Sequence, residues 1–197
     1  MTPWKTLPAG LILILMLSGC GGNSRANAPT TTTGDDDSVT INASLRPLTT
    51  GRDVTAPDGR YSLRVPGEWV RFDDPIAELA FRTTTESPAL AINIVREDVD
   101  PDQRLQAYAE GARRRVGTVY RNVITLTLGP VRIGELEAYR WIYTATAGER
   151  QRLLYQLFVI DRGQGFVLTG MAPIDADLPT TQSLFDSIAG SLTFARG

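Results

Sequence analysis

The chain has 197 residues, 42% of them hydrophobic, and a formal net charge of -2 at pH 7. That length fits about one domain with additional segments, and nothing in the near-neutral charge indicates the basic stripe that nucleic-acid binding uses. Histidine is absent, Cys20 is the only cysteine and Lys5 is the only lysine, which leaves few residue types for catalysis or metal binding.

Residues 1–20 follow the order of a bacterial export signal. Lys5 and the terminal amine supply positive charge, and an apolar run extends from Leu11 to Leu17. This run is shorter than the about 20 apolar residues that span a hydrocarbon core. It therefore predicts a signal peptide over residues 1–19.

The end of this signal, Leu17-Ser18-Gly19-Cys20, matches the lipobox of bacterial lipoproteins. Leu17 suits an apolar subsite, Ser18 and Gly19 are small enough for a peptidase to approach, and the Cys20 sulfur can take a diacylglyceryl thioether. At about 0.8 kcal/mol per buried CH₂, two acyl chains give stable anchoring. The pattern predicts lipid anchoring at the extracytoplasmic face of the cell membrane or outer membrane. The alternative is an ordinary secretory signal that contains a cysteine by chance.

Lipidation would also remove the only thiol from the mature chain, which has no imidazole and no lysine amine. Cys–His, Ser–His and Ser–Lys nucleophiles are then excluded, as are Schiff bases and zinc, copper or haem sites built on His or Cys. We therefore predict no catalytic residues, no metal ligands and no cofactor, and we do not expect an enzyme.

After Cys20 the composition becomes small and polar, with the sequence GGNSRANAPTTTTGDDDS. Such a stretch buries too little apolar surface to fold, so we predict a flexible tether over residues 20–53. For about 30 residues its root-mean-square reach is roughly 30 Å. Within it, Val39–Leu45 either forms a short strand or stays unstructured. A globular domain is expected over residues 54–197.

Period-two alternation predicts the strands of this domain. The segment from Arg152 to Ile160 is apolar on both faces, which indicates a central strand covered on both sides. Hairpin turns are expected at Gly134-Glu135, Ala147-Gly148 and Arg162-Gly163. The inward-facing sets predicted for three other strands are Tyr61, Leu63 and Val65; Leu90, Ile92 and Ile94; and Ile124, Leu126 and Leu128.

Two segments have helical periodicity. The first has Asp100 as the predicted N-cap, Pro101 at the first helical position and Gln103 completing a capping box. The second is expected from about Thr180 to Ser191, after two acidic residues that favour a helix N-terminus. Their expected buried residues are Leu105, Tyr108, Ala109, Ala112 and Val116 in the first, and Leu184, Phe185, Ile188 and Leu192 around the second.

The order of elements is strand, strand pair, helix, four-strand meander and helix. Strands joined by tight hairpins are antiparallel, and a strand buried on both faces requires a layer on each side. We therefore predict an α+β fold, an α/β/α sandwich around a twisted, mainly antiparallel sheet.

Three segments resemble PsbP-like domains. They are GRYSLRVPGEWVR (59–71), the meander GELEAYRWIYTATAGERQRLLYQLFVIDRGQGFVLTGMA (134–172), and the closing LFDSIAGSLTF (184–194), in which Leu192 replaces a frequent Phe. The resemblance covers most of residues 58–194 and implies a PsbP-like fold. Members of this group, which includes PsbP, DcrB-type and LpqN-type proteins, mostly bind or stabilise other proteins and share no catalytic motif. The PsbP metal-site histidines have no counterpart in this chain.

Arg113, Arg114 and Arg115 form the main candidate contact. They are predicted on the polar side of the first helix, either as a solvated surface or as a contact for anionic headgroups or an acidic partner.

Asp98, Asp100 and Asp102 resemble the start of a calcium loop. An EF-hand needs Gly and Glu where Gln103 and Ala109 stand, so we interpret these acids as a helix cap.

Tyr139, Trp141 and Tyr143 alternate on one strand face. They are expected to pack under a helix or, alternatively, to line an exposed apolar groove.

These patterns favour a membrane-anchored, non-catalytic binding or assembly module of the cell envelope, with an envelope protein as its partner. A carrier or sensor of a small apolar ligand is one alternative. A hydrolase using paired carboxylates is another.

Overall fold

The computed structural model describes residues 43–84 and 89–196. The lipobox residues Leu17, Ser18, Gly19 and Cys20 lie outside the described residues, as does the predicted signal peptide. None of the helices within the described ranges is both long and apolar enough to cross a membrane.

The elements form one large sheet, one small sheet and two helices. In chain order they are β1 (Ser44–Leu45), β2 (Arg52–Thr55), β3 (Tyr61–Val65), β4 (Val70–Arg71), β5 (Leu79–Arg82), β6 (Ala91–Asp98), α1 (Leu105–Val119), β7 (Arg121–Ile133), β8 (Leu136–Ala147), β9 (Arg150–Asp161), β10 (Gln164–Pro173), α2 (Leu178–Gly190) and β11 (Thr193–Phe194). The large sheet has the order β1-β7-β8-β9-β10-β6-β5-β4, and the small sheet has the order β11-β3-β2. Only the β1–β7 pair among them is parallel, so the predicted α+β class with a mainly antiparallel sheet is confirmed.

The large sheet is covered on both faces. Helix α1 packs on one face, and α2 together with the small sheet packs on the other. In β9, Leu154 and Phe158 point towards α1, whereas Tyr155 and Leu157 lie in the core on the α2 side. Residues 153–159 are all buried, which confirms the prediction of a central strand with two apolar faces.

Strands β7 to β10 form the predicted meander of hairpins. Two of its turns fall where predicted: Gly134 has φ 54°, and Arg162 and Gly163 have φ 48° and 74°, as tight hairpins with primed turns require. The third turn is Gly148-Glu149, one residue later than predicted, and Gly148 supplies its positive φ of 61°.

The first half of β7 differs from the prediction. Ile124 and Leu126, expected inside, are 56% and 44% exposed. The β7–β8 register shifts between Arg121 and Ile124 and again between Thr125 and Thr127. Because each irregularity changes which side chains face the sheet surface, the simple alternation fails here. Thr125 accepts a hydrogen bond from Trp141 Nε1 at 3.0 Å.

The domain begins before residue 54, where the tether was expected to end. Leu45 is only 7% exposed and packs in the core. The backbone N–H of Leu48 donates to the Ser187 carbonyl at 2.8 Å, and a Cβ on Gly190 would lie 2.6 Å from the Arg46 carbonyl oxygen. Residues 43–53, assigned to the tether from their composition, are therefore part of the fold.

The two helices also differ in how their N-termini are capped. Helix α1 begins at Leu105 with Arg104 as its N-cap, without a side-chain cap hydrogen bond. The predicted cap, Asp100, instead accepts from the Asp102 N–H at 2.9 Å within a turn before the helix. By contrast, Asp177 caps α2 and accepts from the Thr180 N–H at 3.0 Å.

Candidate interaction surface

Helix α1 lies close against the large sheet. Its buried residues are Tyr108, Ala109, Ala112 and Val116. The alanines allow a close approach, and a Cβ added to Gly165 on β10 would lie 2.6 Å from the Tyr108 hydroxyl. The Tyr108 and Phe158 rings meet edge to face with centroids 5.9 Å apart. The face of α1 that points to the sheet is therefore occupied by core packing.

The aromatic row on β8 lies under this helix. Trp141 and Tyr143 are each 1% exposed, and their rings stack at 3.7 Å between centroids. Burial raises the pKa of Tyr143 above its usual range. Tyr139 is partly buried against the same cluster. The expectation that this row packs under a helix is confirmed.

The three consecutive arginines of α1 have three different surroundings. The Arg113 guanidinium lies 5.3 Å from the Trp141 ring centroid, within the range of a cation–π contact. Arg115 Nη2 is 3.3 Å from Glu97 Oε1 on β6. Arg114 is exposed and has no ion pair or ring contact within the described part of the chain. The structure therefore leaves Arg114 as the member of the triplet that is available to an external anion.

A buried polar row that the sequence analysis missed crosses the same face. Asn93, Thr169 and Gln156 are neighbours across β6, β10 and β9, and each is at most 4% exposed. Gln156 Nε2 donates to Thr169 Oγ1 at 3.5 Å, and Asn93 Nδ2 donates to Asp74 Oδ2 at 2.9 Å. The amide oxygens of Asn93 and Gln156 have no hydrogen-bond partner among the described residues. The only signal for this row in the sequence was an amide side chain, Asn93 or Gln156, within each of two otherwise apolar strand segments.

The opposite face contains an ionic contact that attaches α2. Arg140 Nη1 lies 2.7 Å from Asp186 Oδ2, and the Tyr155 hydroxyl donates to Asp186 Oδ1 at 2.8 Å. Burial raises the pKa of Tyr155 well above its usual range, and the neighbouring Asp186 carboxylate adds to the shift. Asp186 is thus engaged in joining the helix to β8 and β9.

Two carboxylates, Asp58 and Glu78, both contact the side chain of Arg96. Arg96 Nη2 lies 2.6 Å from Glu78 Oε1, and Arg96 Nη1 contacts Asp58. The hydrogen bond from Arg96 lowers the pKa of Asp58 below its ordinary value. A glycosidase acid needs the opposite shift, because it must stay protonated near neutral pH. Asp58 therefore does not fit the acid of a carboxylate-dependent hydrolase.

The acids before α1 are engaged in local contacts. Besides the turn at Asp100, Asp98 accepts a hydrogen bond from Gln164. Across residues 43–84 and 89–196, no group of three or more His, Cys, Asp or Glu side chains is arranged to hold a metal ion.

Neither a family model nor a curated protein matches the chain. Among solved structures, it is similar to the cyanobacterial PsbP (CyanoP) of Synechocystis sp. PCC 6803, with a TM-score of 0.57 and 18% identity over 73% of this chain and 92% of that one. The fold is PsbP-like.

Two further solved structures share the PsbP-like fold. LpqN of Mycobacterium tuberculosis, described as involved in cell envelope biogenesis, matches with a TM-score of 0.51 and 18% identity over 74% of this chain and 90% of that chain. A Mog1 mutant matches with a TM-score of 0.53 and 8% identity over 74% and 96%. At these identities the likeness shows the fold alone. The PsbP-like resemblance of the sequence motifs is confirmed at that level.

Proposed function

We propose that this protein is a bacterial lipoprotein whose PsbP-like domain acts as a non-catalytic binding or assembly module in the cell envelope. Cys20 carries the lipid, and the anchor lies at the extracytoplasmic face of a membrane. The observation that carries the proposal is the lipobox Leu17-Ser18-Gly19-Cys20, placed directly after an apolar run and ahead of a PsbP-like domain.

The chemistry of the described side chains supports a binding role. Asp58 and Glu78 are held by Arg96, Asp186 by Arg140, and Asp177 by its helix cap. Carboxylates that are paired in this way serve as structural contacts. LpqN, of the same fold, is described as involved in envelope biogenesis, which agrees with an envelope role for this chain.

Lipidation is tested by feeding cells an alkyne analogue of palmitate and comparing the full chain with Cys20→Ala. We expect label only in the parent chain, and a change in mobility when the signal is cut before Cys20. Ser24→Ala, beyond the lipobox, is the matched control and should be labelled like the parent. Equal labelling of the parent and Cys20→Ala, or no label in either, would contradict the anchor.

Partner binding is tested by crosslinking in intact cells, followed by purification of the full chain from membranes. The proposal expects one envelope protein to be enriched with the parent chain and to be lost or reduced with Cys20→Ala, because anchoring raises the local concentration. Arg114→Gln separates a contact through α1 from one elsewhere. If no envelope protein is enriched with an acylated parent chain, the module does not act by protein binding.

A further inference from the structure

One end of the large sheet concentrates arginines that form no ion pair with the described residues. Arg121 opens β7, and Arg150 and Arg152 open β9; they pair in register with Thr146, Ala147 and Ala145 of β8. Arg121 Nη2 donates to the Gly148 carbonyl at 2.8 Å, which brings it to the same hairpin turn. No ion pair joins these three arginines to any carboxylate within the described ranges, although Glu149 lies in the turn. We call this set the Arg121 cluster.

The like charges of this cluster interact unfavourably. Partial burial lowers the pKa of Arg152, and the nearby Arg150 charge lowers it further. Arginine remains charged at any physiological pH, so the repulsion is not relieved by deprotonation. An anionic surface would relieve it and would gain from all three charges together.

Apolar side chains are exposed near the same end. Val119, the last residue of α1, is 43% exposed, and Ile124, near the start of β7, is 56% exposed. Ile174, directly after β10, is 44% exposed. Acidic residues at this end are Glu149 in the turn, and Asp175 and the capping Asp177 on the α2 side. This end of the sheet therefore combines arginines with exposed apolar side chains, the composition of a membrane-interface surface.

The length of the chain before Ala43 allows the anchor to lie at this end of the sheet. Strand β1 runs parallel to β7, and the Arg132 N–H donates to the Ala43 carbonyl at 2.9 Å. Within the described residues, β1 therefore begins on the Arg121 side of its pairing with β7 and runs towards the β7–β8 turn. About 23 residues separate Cys20 from Ala43, with a root-mean-square reach of roughly 25 Å. The part of β7 before this point is about 35 Å long. A fully extended chain covers about 3.3 Å per residue, so the segment between Cys20 and Ala43 is long enough for the anchor to lie at the Arg121 end.

We propose that the Arg121 cluster docks the domain on the anionic phospholipid headgroups of the membrane that holds its lipid anchor. This inference rests on the proposed lipidation of Cys20 and adds an orientation to it. The two hairpin turns at opposite ends of the sheet then lie at different distances from the membrane. Glu149 is next to the bilayer, and Glu135, in the β7–β8 turn, points away from it.

The two turns supply a matched pair of probes. Glu149→Cys and Glu135→Cys are introduced separately into the full chain, which is purified from membranes and inserted through its lipid into vesicles. The Cys20 sulfur is blocked by its thioether, so a nitroxide label reacts at one site. We expect the label at position 149 to lose accessibility to a water-soluble relaxation agent in vesicles containing phosphatidylglycerol. The label at position 135 should keep its accessibility in both phosphatidylglycerol and pure phosphatidylcholine vesicles.

Charge variants test the cluster itself. Changing Arg121, Arg150 and Arg152 together to Gln should abolish the protection of position 149. The charge-matched control changes the exposed Arg60, Arg162 and Arg196 to Gln and should leave protection intact. Since each arginine near an anionic leaflet contributes about fivefold to the docked-to-undocked ratio, single variants should reduce protection stepwise. Added salt should also reduce it. Circular dichroism establishes that each variant is folded.

The outcomes separate this inference from the proposed anchor. A chain whose mass shows no acyl group overturns both. An acylated chain whose two labels behave alike in both lipids overturns the docking alone. Loss of protection with Arg114→Gln, but not with the triple variant, places the contact on α1 and overturns the Arg121 cluster. Protection seen only in native membranes, and not in lipid vesicles, assigns the cluster to an acidic protein and overturns a lipid occupant.

Discussion

The two faces of the large sheet are built differently. On the α2 side, one core joins both sheets and includes Trp69, Tyr61 and Phe185, each at most 2% exposed. Helix α2 is capped by Asp177 and is joined to the sheet by the Arg140–Asp186 pair. On the α1 side, the helix has no side-chain cap and packs through two alanines, one valine and one tyrosine.

The α1 side also contains the polar row and its unsatisfied amide oxygens. A buried acceptor without a donor costs about 1–3 kcal/mol, which subtracts from the stability that packing supplies on this side. Regions with fewer apolar contacts open at lower free energy. Because the α2 side has the larger apolar core, we expect it to contribute more to the stability of the fold than the α1 side.

The largest expected effect involves tyrosines on both sides. Burial raises the pKa of Tyr61, Tyr155, Tyr108 and Tyr143 above the ordinary value near 10. The folded state keeps these phenols protonated while the unfolded state ionises, so their contribution is present below pH 10 and is lost above it. For each of these tyrosines, the free energy of unfolding falls by about 1.4 kcal/mol per pH unit above pH 10. We expect cooperative alkaline unfolding, with tyrosinate absorbance appearing together with the loss of circular dichroism.

Single tyrosine variants test the two sides of the sheet separately. Tyr143→Phe, on the α1 side, removes one ionising group and should raise the pH midpoint of unfolding. Tyr155→Phe also removes a hydrogen bond to Asp186, so its gain should be smaller. Tyrosinate absorbance that rises before the circular dichroism changes, and exceeds what the two other tyrosines, Tyr120 and Tyr139, can supply, would show that these rings are accessible in the folded state and would contradict their burial.

Core truncation should give the next largest difference. Phe185→Ala on α2 removes a ring that is 1% exposed, and such changes cost about 3–5 kcal/mol. Val116→Ala on α1 removes fewer carbons from a residue that is 7% exposed, for which we expect about 2 kcal/mol. Urea unfolding of both variants measures the difference. Equal losses would mean that the α1 side is as important for stability as the α2 side.

Apolar packing was predictable from the sequence on both sides of the large sheet, whereas the contribution of residues 43–53 to the α2 side was not. Alternation and helical spacing report apolar packing, and they identified Phe185, Ile188 and Leu192 as well as the doubly buried β9. The N-cap of α2 is Asp177, one of the two acidic residues expected before this helix, and such a cap is a local signal. These features depend on a residue and its near neighbours along the chain.

The α1 side depends on relations that are not local in sequence. The irregular register of β7 turns Thr125 towards Trp141 and exposes Ile124, which strict alternation does not predict. The polar row exists only because three distant strands align Asn93, Thr169 and Gln156. The Arg121 cluster likewise needs the register of β8 and β9 to bring its members to one turn. The arginine triplet was visible in the sequence, but its separate contacts with Trp141 and Glu97 were not.

Breaking one ion pair on each side should give a smaller difference in stability between the two sides. Asp186→Asn removes the charge that Arg140 needs in a mostly buried site, where side-chain exposures are 19% and 10%. We expect a loss of about 2 kcal/mol. The matched change on the other side, Arg115→Gln, breaks a more exposed pair with Glu97 and should cost at most about 1 kcal/mol. Chemical denaturation at low and high salt checks both. A larger effect of salt on the Asp186 pair than on the Arg115 pair would contradict its burial.

The smallest expected effect concerns the two helix starts, and here the changes have opposite signs. Asp177→Ala removes the carboxylate that accepts from the Thr180 N–H, so the Tm should fall by a few degrees. Arg104→Asp places a carboxylate at the uncapped start of α1. An acceptor there can satisfy a free backbone N–H and opposes the positive end of the helix dipole, so the Tm should rise.

The Arg104→Asn variant distinguishes capping from charge, because it supplies a similar acceptor without the negative charge. If the Tm rises with both Arg104→Asp and Arg104→Asn, the added cap stabilises α1. If it rises with Arg104→Asp alone, the interaction of the negative charge with the helix dipole stabilises it. If neither variant raises the Tm while Asp177→Ala lowers it, the start of α1 is already satisfied by the turn at Asp100. The weaker attachment of α1 would then arise from its packing alone.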